Sequence, residues 1–242
     1  MELDTIREII AKNLFTNVFQ PIYHLPSKKI VGYESLLRCP LVKSPDVLFQ
    51  AAQKQGCVHE LDMSSISNSI QTFYSYYKKI KENNLFLSVN VYPSTISFPF
   101  FPQFLEKIVA KTSLSNQQII LEINESESLR DLSKIIKNIA VLKEKGFVIA
   151  LDDLGIGEHS LHTLLEIEPA IIKFDHYLAK NLSQNLKKQK VLSYFLDVFN
   201  DGEKIILEGI ETKEDMICAQ TIGIQYAQGY YLSKPHLLHV SC

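Results

Sequence analysis

The sequence predicts an α/β chain, a modified (β/α)8 TIM-like barrel whose first strand runs antiparallel. Three observations carry this. Six short apolar runs end in an acidic, amide or lysine side chain: 30–33 before Glu34, 85–89 before Asn90, 119–121 before Glu122, 148–151 before Asp152-Asp153, 171–172 before Lys173 and 205–207 before Glu208. Runs this short and rich in Ile and Val read as buried parallel strands. Helical-looking stretches separate most of them. The length, 242 residues, is close to the roughly 250 of one such barrel.

The elements follow in chain order. Met1 to Lys12 mixes charged and apolar residues and lacks the apolar region of a signal peptide. It reads as an amphipathic helix over 2–15, so that 1–16 leads into the barrel. Strands at 17–23 and 29–38 flank a turn at Pro26-Ser27. So few residues join them that they must be antiparallel. Helices at 45–55 and 59–80 precede a strand at 85–91. Pro93, Pro99 and Pro102 then break up the chain before a helix at 102–111. A strand at 118–123 leads into a helix at 128–145, stopped by Gly146. Strand 147–152, helix 160–166, strand 171–174, helix 177–200, strand 204–208, helix 212–222 and a short strand at 225–228 complete the alternation. No linker, low-complexity segment or internal repeat interrupts it, and 1–242 reads as a single domain.

Composition narrows the function. The net charge is −2, so no global basic field attracts DNA. A phosphate-bearing substrate would be handled locally, by metals and a few cations. No apolar stretch approaches the ~20 residues of a membrane span. Cys39, Cys57, Cys218 and Cys242 show no CxxC spacing, which points to reduced thiols and a cytoplasmic protein.

Polar groups at the carboxyl ends of successive parallel strands converge on one face, where α/β enzymes place their active sites. Glu34, Glu122, Asp152, Asp153 and Glu208 together carry −5, and Lys173 returns one positive charge. Two carboxylates about 4 Å apart repel by roughly 4 kcal/mol at an effective dielectric of 20. Two divalent cations would bring the group near neutrality, and oxygen ligands suit Mg²⁺ or Mn²⁺. Such an ion pair can activate water, neutralise a phosphoryl group and assist a leaving alkoxide. Each piece alone has a plainer reading. Asp152-Asp153 before Gly155 and Gly157 reads equally as an Asx turn, and Lys173 as a strand-end lysine whose amine reaches solvent. Gly155-x-Gly157 lacks the third glycine of a nucleotide loop. His59-Glu60 is no zinc motif, because Met63 stands where the second His belongs. Phe73, Tyr74, Tyr76 and Tyr77 read as core with some surface, and 187–190 as a solvated helix face. The apolar stretch 98–102 fits a barrel cap or a contact surface.

Eight segments in order resemble the EAL-domain family, bacterial phosphodiesterases that open cyclic di-GMP to linear pGpG. They are FQPIYHL, GYESLLR (at the signature E-A-L-x-R), LSVNVYPS, LEINESES, ALDDLGIGEHSL, IIKFD, LEGIET and AQGYYLSKP, covering about Phe19 to Pro235. The resemblance implies a modified barrel with an antiparallel first strand, as read above. It implies that Glu34, Asn90, Glu122 and Asp152 hold one metal, that Asp152 and Asp153 hold a second, and that Glu208 lies close by. It assigns Lys173 to the attacking water or the metal-bound oxygens, Glu125 to steadying the loop after Asp153, and Glu211 and Gln228 to the site wall. Arg38 would contact a substrate phosphate, and Gln20 and Asp175 would line the pocket. A homodimer using two Mg²⁺ or Mn²⁺ ions is the expected assembly, with a protein partner a further option. Departures from the pattern fall at four places. Ser35 replaces Ala, Leu154 replaces Phe, Ile156 replaces Thr, and Glu158-His159 stands where an aromatic and Ser are common. The last three lie in the loop after Asp153 and put the turnover rate in question. Two alternatives share the fold, a cyclic di-GMP receptor that scarcely cleaves and a protein-binding regulator. The filled ligand positions argue against the regulator.

Overall fold

The computed structural model describes residues 3–80, 84–123, 132–152, 161–199 and 202–238. Its strands are β1 (Thr16–His24), β2 (Lys29–Arg38), β3 (Phe86–Val91), β4 (Ile119–Ile123), β5 (Val148–Leu151), β6 (Ile171–Phe174), β7 (Lys204–Leu207) and β8 (Tyr226–Ala227). They close into a barrel in chain order. β1 pairs antiparallel with both β2 and β8. Every other neighbouring pair is parallel. The modified barrel is therefore as expected, and the short 25–28 connection reverses β1.

The helices are α1 (Leu3–Ala11), α2 (Pro45–Lys54), α3 (Val58–Tyr77), α4 (Pro93–Ile96), α5 (Phe101–Val109), α6 (Leu132–Glu144), α7 (Leu161–Ile167), α8 (His176–Ala179), α9 (Leu186–Val198) and α10 (Lys213–Ile222).

Side-chain alternation along the strands divides the molecule into two interiors. Leu87, Val89, Leu121, Ile149, Ile172, Phe174, Ile205 and Leu207 belong to one large cluster with residues of the helices. Ile22, Ile120, Ala150, Ile171 and Ile206 form a separate cluster. In β4, β6 and β7 the residue two places beyond a member of this second cluster is Glu122, Lys173 or Glu208. The same inward face that is apolar low in the barrel becomes charged at its carboxyl-terminal mouth. This explains why the strands read as continuous apolar runs with a polar end.

Several elements differ from the sequence expectation. The stretch expected as one helix over 177–200 is broken into α8 and α9. Asn181 takes a left-handed conformation (φ 55°) between them. Asn185 caps α9 by accepting from the amides of Lys187 and Lys188, a local bond that competes with a continuous helix. The Asp215 carboxylate accepts from the Ser183 amide and hydroxyl, both at 2.8 Å, and fixes the break. Lys188 is not simply solvated: its amine donates to the carbonyls of Tyr177 and Lys180. Pro93 opens a short helix, α4, rather than ending order, because proline is well suited to a first helical position. The N-terminal helix stops at Ala11, ahead of Asn13 with φ 53°. Phe101, from the apolar stretch 98–102, is fully buried in the main core, while Phe100 is exposed. Among the described residues Cys39, Cys57 and Cys218 are free thiols, and no helix is long and apolar enough to cross a membrane.

Candidate active site

Strand register brings the predicted side chains together from opposite ends of the sequence. Gln20 on β1 pairs with Glu34 on β2, Glu34 with Ser88, and Asn90 with Glu122. Asp152 directly follows β5, Lys173 lies in β6, and Glu208 directly follows β7. Lys173 is completely buried, as is Glu122. The Lys173 Nζ stands 2.5 Å from Glu208 Oε1, 2.9 Å from Glu122 Oε1, 3.3 Å from Asp152 Oδ1 and 3.6 Å from Glu34 Oε2. Four carboxylates from four strands thus surround one ammonium.

Neutral donors orient the carboxylates. Asn90 Nδ2 donates to Glu34 Oε1 at 3.2 Å. Gln228 Nε2 donates to Glu34 Oε2 at 2.5 Å and to Glu208 Oε1 at 3.1 Å. Ser88 Oγ donates to Glu122 Oε1 at 2.5 Å. Ser88 escaped the sequence reading. Its position two residues before Asn90, on the same strand face, is the signal that would have found it.

Two glycines permit this packing. Gly209, next to Glu208, has φ +73°, and an added Cβ would lie 2.3 Å from the His176 Cβ. Gly229, next to Gln228, would place a Cβ 2.2 Å from the Ile210 backbone. A side chain at either point would push apart the loops that bring Glu208 and Gln228 side by side.

Electrostatics follow from burial. The Glu122 carboxyl is pushed up from 4.5 to about 8, chiefly by desolvation; Lys173 and the Ser88 hydrogen bond act downward, and Glu34 and Asp152 act upward with burial. Desolvation likewise raises Glu208 well above the carboxylate range, against the pull of Lys173. For Lys173 burial acts downward, but Asp152, Glu122, Glu208 and Glu34 outweigh it and hold the amine well above 10.5.

Two cavities have members of the cluster in their walls. One, about 290 Å³, lies between β2, β3, α2 and α3, with Glu34, Arg38, Asn90, Phe49 and Asp62 in its walls. The other, about 280 Å³, has Gln20, Asp175, Glu208, Glu211 and Gln228 in its walls. Arg38, in the wall of the first cavity, donates from Nη1 to the Leu37 carbonyl at 2.8 Å. Gln20 donates to the Ser233 carbonyl at 3.2 Å. Asp175 accepts from the Tyr177 amide at 2.7 Å and pairs with His176 at 2.7 Å. Glu211 lies at the second cavity without contact to Lys173 among the described ion pairs. Ser35, at the position where the family pattern has Ala, pairs its hydroxyl with Ser69 Oγ at 2.8 Å and is satisfied in its buried site. Glu125, Asp153, Leu154, Ile156, Glu158 and His159 lie outside the described residues.

The donor set fits hard divalent cations. Glu122 Oε2 and Gln228 Oε1 are buried oxygens without a hydrogen-bond partner among the described residues. A metal ligand oxygen left free in this way is what such a site requires. Yet among the described residues no three His, Cys, Asp or Glu side chains already stand around a common metal position. They stand around the lysine.

The EAL domain family profile matches residues 3–235. The probable cyclic di-GMP phosphodiesterase PdeG of Escherichia coli K12 is 26% identical over 237 residues, covering 96% of this chain and 46% of that protein. The chain therefore spans about half the length of this curated relative, and 28% of the cyclic di-GMP phosphodiesterase PdeB of Shewanella oneidensis, to which it is 27% identical over 98% of its own length. Among solved structures, the EAL enzyme Bd1971 in its cAMP and cyclic di-GMP bound form superposes with a TM-score of 0.88 at 24% identity, over 98% of this chain and 66% of the other. The Klebsiella pneumoniae BlrP1 manganese and cyclic di-GMP complex does so with a TM-score of 0.82 at 24% identity, over 94% and 57%.

Proposed function

This chain belongs to the EAL domain family, and we propose that it is a metal-dependent phosphodiesterase that hydrolyses cyclic di-GMP to linear pGpG. The carrying observation is the convergence of Glu34, Glu122, Asp152 and Glu208 on one buried point, with Glu122 Oε2 left without a hydrogen bond. The substrate follows from relatives named as cyclic di-GMP phosphodiesterases and from a family structure solved with manganese and that nucleotide.

In this reading Glu34, Asn90, Glu122, Asp152, Asp153 and Glu208 hold two Mg²⁺ or Mn²⁺ ions. When bound, the ions supply a nucleophilic water and neutralise the phosphoryl oxygens. The chain's own residues do the positioning. Ser88 and Gln228 lock the carboxylates on which the ions depend, as supporting hydrogen bonds do in metal sites. Arg38 meets a phosphate from the first cavity, where a planar guanidinium suits two oxygens. Gln20, Asp175 and Gln228 line the second, with Glu211 on its wall. Two cavities with Glu34 and Glu208 in their respective walls suit a ligand that carries two bases on a sugar–phosphate ring with two phosphodiesters. Lys173 orients the attacking water and stabilises charge developing on the phosphorane oxygens. Glu125 steadies the loop that carries Asp153. A homodimer accords with the exposed Leu165, Leu186 and Tyr194 on α7 and α9, and a cytoplasmic location with the reduced thiols.

The deciding experiment incubates purified protein with cyclic di-GMP and each divalent ion. Conversion to pGpG with Mg²⁺ or Mn²⁺, but not with Ca²⁺ or chelator, is expected. Ca²⁺ fails because its larger, looser shell places the nucleophile poorly. Binding without turnover would instead support a receptor.

A further inference from the structure

We infer that Lys173 is a resident counter-cation: its ammonium holds the metal-free carboxylates together and must give up that position before a divalent ion binds. The inference rests on the metal-site reading above and adds to the role of Lys173 in turnover a role in metal affinity and in the stability of the empty barrel.

Two independent observations carry it. The first is geometric. One completely buried ammonium lies within 3.6 Å of a carboxylate oxygen from each of Glu34, Glu122, Asp152 and Glu208. These groups come from β2, β4, the end of β5 and the end of β7, so the lysine ties four strands across the mouth. Among the described ion pairs, Lys173 is the lysine that meets Glu34, Glu122 and Glu208. The second is what the carboxylates do not do. No three of them are arranged around a common metal position. Their oxygens converge on Nζ instead, and Glu34, Glu122 and Glu208 also accept from neutral Ser88, Asn90 and Gln228. Neutral donors orient the carboxylates but leave their charge in place.

The stem of Lys173 explains how it reaches this position. Ile171, two residues before it, and Ile206, its register partner on β7, both belong to the apolar lumen below. The aliphatic chain rises from that layer and delivers its charge to the centre of the mouth. A divalent ion that takes the same carboxylates must meet this positive charge or displace it. Lys173 therefore weakens the binding of a cation while making the cation unnecessary for folding.

The test uses Lys173→Met, which keeps an unbranched side chain, one atom shorter, and removes its charge. Free Mn²⁺ is followed by electron paramagnetic resonance during titration, and thermal melting is followed in chelator and in Mn²⁺, all without substrate. Relative to wild type, the variant should melt lower in chelator and gain more from Mn²⁺. It should bind Mn²⁺ more tightly, on the order of tenfold or more, because a like charge has left the site. Adding Glu34→Gln should recover part of the chelator melting temperature, since one of the uncompensated carboxylates is then gone. If Lys173→Met does not fold in chelator, recovery of its melting transition by Mn²⁺ is the readout, and no recovery overturns the inference. Equal or weaker Mn²⁺ affinity in the variant also overturns it. Failure of both proteins to bind Mn²⁺ would overturn the metal-site reading itself, and so is distinct from the loss of this inference alone.

Discussion

The lumen of this barrel has two halves built by the same strands. The lower half is Ile22, Ile120, Ala150, Ile171 and Ile206. The upper half is Glu34, Glu122, Asp152, Lys173 and Glu208. In β4, β6 and β7 the two are separated by a single step of alternation, two residues along the strand. The lower layer is made of side chains that gain by leaving water. The upper layer is made of groups that lose by it and remain buried only because they are compensated. Desolvation is the largest influence on both Glu122 and Glu208. The lesson is a division of labour within one lumen: the floor contributes stability, and the mouth spends some of it on chemistry.

The largest expected effects come from the mouth. Asp152→Ala or Glu34→Ala should abolish turnover of cyclic di-GMP while leaving the far-UV circular dichroism of the barrel intact, because mouth residues contribute little to the core. Lys173→Ala should lower kcat by a factor of about 10²–10⁴, the range for a positioned catalytic group. Full activity in that variant would remove Lys173 from the chemistry.

A floor substitution should do the reverse. Ile206→Ala, from a residue 3% exposed, should cost about 2–5 kcal/mol of stability. That corresponds to a melting temperature lower by roughly 2–4 °C for each kcal/mol. The activity of the folded fraction should stay within a small factor of wild type. A large loss of kcat without loss of stability would break the comparison.

Protonation distinguishes the halves more gently. Glu122 is pushed up from 4.5 to about 8 in the folded chain. Between those values the folded state keeps a proton that the unfolded chain has released, so metal-free stability should fall as pH rises from 4.5 to 8 and then level off. Glu208 acts in the same direction. Lys173 stays charged throughout this window in both states and adds no slope there. Melting in chelator across pH 5–8 measures this. Saturating Mn²⁺ should remove the decline, because the metal competes with the proton for the same oxygens.

The smallest effect concerns residues outside the described structure. Restoring the family pattern with Leu154→Phe and Ile156→Thr should raise turnover at limiting Mg²⁺ by about two- to tenfold, the equivalent of one net hydrogen bond of roughly 0.5–1.5 kcal/mol. Superimposable Mg²⁺ titrations would show that these positions are neutral.

The distinction between floor and mouth also explains what was legible in the sequence. A strand such as Ile119-Ile120-Leu121-Glu122 announces both its burial and its polar end, so barrel and strand-end residues could be read directly. Ser88 was not legible, because a serine within an apolar strand looks like any small core residue until its carboxylate partner on the next strand is known. The break between α8 and α9 was missed for a related reason. Asp215, which fixes it, lies 32 residues from Ser183. In the sequence Pro93, Pro99 and Pro102 mark a broken stretch, although Pro93 can begin a helix as readily as prevent one. Nor could spacing reveal that the four carboxylates share a single lysine, since that depends on barrel closure.

The central claim is that the charged mouth is a site for two divalent ions. Its most direct test is the stoichiometry of Mn²⁺ at equilibrium, counted by dialysis with cyclic di-GMP present at a pH and temperature that suppress turnover. The account predicts two ions per chain in the wild type and loss of both in Asp152→Ala, the residue proposed to serve both positions. Two ions retained in Asp152→Ala, or none in the wild type, would contradict it.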